Sequence, residues 1–81
     1  MKIQHATIKY YIEDALIEIN KIMDGCDDKK LEEEAFLVHM EHALHMFNFA
    51  YNARYLSLKE TGELSDKDYQ KKTLPPIDIF R

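Results

Sequence analysis

From Lys29 to Glu60 the chain reads KKLEEEAFLVHMEHALHMFNFAYNARYLSLKE, with neither glycine nor proline. Leu, Ala, Met, Glu and Lys dominate this stretch, and all are strong helix formers. A helix is therefore expected over 29–61, ended by Gly62 in the left-handed position that often follows a helix. Projected at ~100° per residue, it shows two apolar flanks rather than one. Phe36, Met40, Ala43, Leu44, Phe47, Ala50, Tyr51 and Leu58 share the first, while Leu31, Ala35, Val38, Met46, Phe49, Ala53 and Leu56 share the second. A narrow polar stripe of Glu34, Glu41, His45, Asn48, Asn52 and Lys59 runs between them. A surface helix has one apolar stripe, so a helix apolar on both flanks needs neighbours on both.

The segment 3–23 can supply the first neighbour. Ile8, Tyr11, Ile12, Ala15, Leu16, Ile19, Ile22 and Met23 recur at helical spacing, with Lys9, Glu13, Asp14, Glu18, Asn20 and Lys21 opposite. Tyr10 and Ile17 lie off this stripe and near each other. Asp24-Gly25-Cys26-Asp27-Asp28 then interrupts the pattern. Gly25 suits the left-handed C-terminal position, and Asp27 or Asp28 suits the next N-cap. Glu32, Glu33 and Glu34 place negative charge where the dipole of the long helix favours it. So short a connection makes the two helices antiparallel neighbours.

After Gly62, Ser65 followed by Asp68 resembles a capping box and predicts a short helix over 66–72. Pro75 and Pro76 forbid its continuation. The tail 74–81 is expected to be extended, because Ile77-Asp78-Ile79-Phe80 alternates apolar and polar residues. Phe80 would pack against Tyr51, Tyr55 or Leu58. The expected fold is all-α: an antiparallel helical hairpin with a short third helix and an extended C-terminal tail, all within one domain, residues 1–81.

One hairpin partner covers only one flank of the long helix, and the segment after Gly62 is too polar to cover the other. Leu31, Ala35, Val38, His42, Met46, Phe49, Ala53 and Leu56 would then form an exposed apolar patch, larger than a soluble monomer usually tolerates. Two-fold self-association is the commonest remedy. A homodimer forming a four-helix bundle through these eight residues is the expected assembly, with docking of a different protein through the same face as the alternative.

Composition narrows the function classes. A net charge of −4 lacks the clustered basic face that nucleic acid draws. No apolar run approaches the ~20 residues of a membrane span. Cys26 is the single cysteine, so no intrachain disulfide can form, which suits a reducing cytoplasm. Ser57 stands alone, without the glycine-rich turn that presents a nucleophile. The best candidate chemistry is the histidine series His39, His42 and His45, spaced by three. These drift ~120° around the axis and cannot all bind one ion. Pairing the helices about Gly25 puts His5 roughly opposite Asn48, so a metal site of His5, Glu41 and His45 is the alternative reading. Asn48 and Asn52, weak helix formers one turn apart, suggest cross-helix hydrogen bonding. The leading expectation is a small cytoplasmic interaction or regulatory module, dimeric, without a cofactor or catalysis of its own.

Overall fold

The computed structural model describes residues 1–76, in which four helices follow one another. They are α1 (His5–Asp27), α2 (Glu33–Asn52), α3 (Leu58–Gly62) and α4 (Asp66–Lys72), and no strand occurs among the described residues. α1 and α2 pack along their lengths as an antiparallel hairpin. The expected tail beyond Pro76, with the contact expected of Phe80, lies outside the described residues.

The hairpin turn falls later than Gly25. Gly25 is helical, and α1 continues through Cys26 to Asp27. The left-handed residue is instead Lys29, with φ 56°. Its N–H donates to the Cys26 carbonyl, and the Lys30 N–H donates to that of Gly25. These two bonds form the terminator usually built on glycine. Gly25 has a different task. A Cβ there would lie 3.0 Å from the Leu31 Cβ, so the missing side chain lets the incoming strand of the turn close over α1. The N-cap of α2 is Glu32 rather than Asp27 or Asp28.

The long helix is also interrupted. α2 ends at Asn52, and Ala53–Ser57 form a tight reversal before α3 begins. No glycine or proline causes this break. Ser57 and Glu60 form a reciprocal cap: the Glu60 N–H donates to Ser57 Oγ, and the Ser57 N–H donates to Glu60 Oε1. That pair favours a new helix start over continuation. The break also frees carbonyls for the start of α1. The Gln4 N–H donates to the Arg54 carbonyl at 2.7 Å, and the Thr7 hydroxyl to that of Leu56 at 2.6 Å. One helical turn on, the Tyr11 hydroxyl donates to Thr61 Oγ1 of α3. The chain thus folds back over the N-terminal half of α1. A continuous helix would leave Thr7 buried without these partners.

Tyr11, Ala15, Met46, Phe49, Ala50 and Ala53 form the core, with Ile12, Leu56 and Leu64 against its edge. Phe49 is 0% exposed. Its ring meets Tyr11 at 4.4 Å between centroids and Tyr69 of α4 at 4.6 Å. α4 opens on Ser65, whose hydroxyl accepts from the Asp68 N–H, and packs against α2 beside Asn48 and Asn52.

Candidate functional site

Three places could carry function: the histidine series, the asparagine pair with its adjoining groove, and the apolar flanks of the hairpin. The histidines are divided among three carboxylates. His39 Nδ1 lies 2.5 Å from Glu18 Oε2, and His42 Nε2 lies 3.6 Å from Asp14 Oδ2, so both reach across to α1. His45 Nε2 lies 4.0 Å from Glu41 Oε1 on its own helix. A carboxylate only accepts, so His39 carries its hydrogen on Nδ1. That hydrogen bond, reinforced by Lys21 against the opposing effect of burial, holds the Glu18 carboxyl below the usual glutamate range.

These contacts leave the expected metal cluster apart. His5 opens α1 next to Gln4, which pairs with Arg54, well beyond the level of His45. The cause is the later turn. Moving it from Gly25 to Asp28–Glu32 slides α1 about one helical turn along α2, and His5 is carried past Asn48. Among the described residues, no three His, Cys, Asp or Glu side chains are placed to hold an ion.

Asn48 and Asn52 do make cross-segment hydrogen bonds. Asn48 Nδ2 donates to the Thr73 carbonyl, and Asn52 Nδ2 to those of Lys72 and Leu74. Carbonyls at the end of a helix lack intrahelical partners, and here α2 satisfies them. Beside this clamp a groove of about 520 Å³ is lined by Leu37, Met40 and Leu44 on one side and Leu74 and Pro75 on the other. Glu41, His45 and Asn48 border it.

The apolar flanks are exchanged relative to expectation. The second flank, expected to face a partner, faces α1. Met46, Phe49 and Ala53 are buried in the core, and Leu56 packs against it. His42 is engaged by Asp14, and Leu31 closes on Gly25. Of the eight expected interface residues, Val38 is the most open, at 65% exposure. Of the eight, Met46, Phe49 and Ala53 are thus spent on the hairpin core, Leu31, Ala35 and Leu56 are half-buried, and Val38 and His42 stay exposed. On this side His39 and His42 reach Glu18 and Asp14 of α1. What remains partly open is the outer part of the first flank: Phe36, Met40 and Phe47 keep exposure while Ala43 and Ala50 are buried, and Ile12, Leu16, Ile19 and Met23 recur at spacings of four and three on α1.

No family model matches the chain, and neither a curated protein nor a solved structure matches it. No helix among the described residues is long and apolar enough to cross a membrane.

Proposed function

We propose that this protein is a small helical interaction module that works as a homodimer, its hairpins pairing into a four-helix bundle, with no catalysis of its own. The observation that carries this reading is the balance of apolar surface. Among the described residues seven hydrophobic ones are buried, and four of these are alanines (Ala15, Ala43, Ala50 and Ala53). Fourteen large hydrophobics stay exposed among the described residues. Domains of this size bury a smaller fraction of their surface than larger ones do, and association is one way to bury more. A hairpin with open apolar positions on both helices is half of the commonest helical bundle. A lone exposed thiol, Cys26, favours a reducing compartment such as the cytoplasm.

Light scattering on purified protein tests the reading. At tens of micromolar the mass should be twice the 9.6 kDa protomer, and melting should shift upward with concentration, because association stabilises the folded state by mass action. A protomer mass with melting independent of concentration would refute it. Co-purification of a different protein in fixed ratio, with protomers otherwise unpaired, would replace self-association with docking of another chain.

A further inference from the structure

We propose that the second copy sits antiparallel on the α1–α2 face turned away from α4; this builds on the self-association proposed above and adds its surface and direction. The face is located by what occupies its opposite. Tyr69 of α4 rests on Phe49, and Asn48 and Asn52 hold the backbone of 72–74, so α4 covers one side of the hairpin. At ~100° per residue, Ile12, Leu16 and Met23 of α1 and Phe36 and Phe47 of α2 turn to the other side, with Met40 at the border between this face and the groove beside α4. Leu16 is 46% exposed, Met23 59% and Phe47 37%. No charged side chain falls among these positions, and on α1 they lie four and seven residues apart, the spacing of one side of a helix in an antiparallel bundle.

The size fits a protein partner. From Ile8 to Met23 α1 rises ~24 Å, and two helices at ~10 Å spacing make the face ~20 Å wide. That footprint, roughly 500 Å² in projection, presents an accessible area near the ~800 Å² per partner of a standard interface.

Charge at the two ends selects both the occupant and its direction. Between Lys21 and Glu34, around the turn, six carboxylates stand against three lysines. The first nine residues, at the open end, carry Lys2 and Lys9 and no carboxylate. Asp27 and Glu33 border the face at the turn, and Lys2 and Lys9 border it at the open end, all four exposed. A second copy placed antiparallel brings each acidic end onto a basic one, whereas a parallel copy juxtaposes like charges. Complementary rims of this kind fix register and orientation.

The native cysteine reports the direction. Cys26 is exposed in the last turn of α1 and can carry a nitroxide label without any substitution. Double electron–electron resonance should find the two labels about 30 Å apart, twice the rise from the middle of the face to Cys26. Distances below roughly 20 Å, the span of helices packed turn to turn, would overturn the antiparallel arrangement. A protomer mass for the unlabelled wild type would overturn the self-association itself. Leu16→Glu should give protomers that keep their helical circular dichroism, while Tyr10→Glu, on the α4 side, should remain dimeric. Dimers that persist in both Leu16→Glu and Phe47→Glu would place the seam elsewhere. If either variant unfolds, the label distance in the wild type still decides.

Discussion

Replacing Phe49 with alanine separates a core residue from an interface residue. Phe49 is fully buried, with the rings of Tyr11 and Tyr69 on two sides. Removing a buried phenylalanine costs about 3–5 kcal/mol through lost transfer energy and the cavity left behind. Part of that is the aromatic pairing, roughly 0.5–1.5 kcal/mol for each neighbour. A chain of this length has an unfolding free energy of about 4–12 kcal/mol, at 0.05–0.15 kcal/mol per residue. The substitution thus takes between a quarter and all of the stability. Urea titration followed by circular dichroism, repeated at several protein concentrations, should show either no folded baseline or a midpoint lowered at every concentration. Were Phe49 on a subunit seam instead, the loss would appear as a halved mass and would shrink as concentration rises. A variant within about 1 kcal/mol of wild type at all concentrations would refute the placement of Phe49 in the hairpin core.

Other substitutions test the details. Lys29→Gly relieves a left-handed lysine and should raise stability by about 0.5–1 kcal/mol, read as an increase in melting temperature. Asn52→Ala removes two hydrogen bonds that hold the end of α4; each is worth ~1 kcal/mol, and amide exchange should accelerate in 66–74 while the middle of α1 stays protected. Glu18, whose carboxyl lies below the usual glutamate range because His39 donates to it, should stabilise the fold fully above the unfolded glutamate range near ~4.3. That contribution fades as the pH falls through the lower folded value, so Glu18→Gln should flatten the acid limb of the stability curve and not its neutral plateau. An unchanged acid limb in the variant would show that the His39–Glu18 contact carries no linkage.

Much of the local structure was legible in residue order. The helical periods of α1 and α2 and the two-flanked character of the long stretch come from side-chain spacing alone. So do the short connection that forces a hairpin and the Ser65–Asp68 cap of α4, because these features act within a few residues of one another. The Ser57–Glu60 cap was equally local, and its serine-x-x-glutamate pattern was the available sign that α2 would break. It was hidden within an otherwise ideal helical stretch. The left-handed role went to Lys29 rather than Gly25 for a non-local reason: Gly25 sits where Leu31 must close over it.

Tertiary structure alone decided which flank of α2 meets α1. Both flanks are apolar and of similar length, so burial by itself is nearly degenerate between them. Long-range polar contacts accompany the side that is buried. His39 and His42 reach Glu18 and Asp14 on that side, and Thr7 and Tyr11 find Leu56 and Thr61 only once the chain reverses at Ala53. Each of these pairs joins residues far apart in the chain, and a one-turn shift of the hairpin would separate them all. Periodicity determines that a helix has an apolar side. Which side is buried depends on partners that only the folded chain brings within hydrogen-bonding distance.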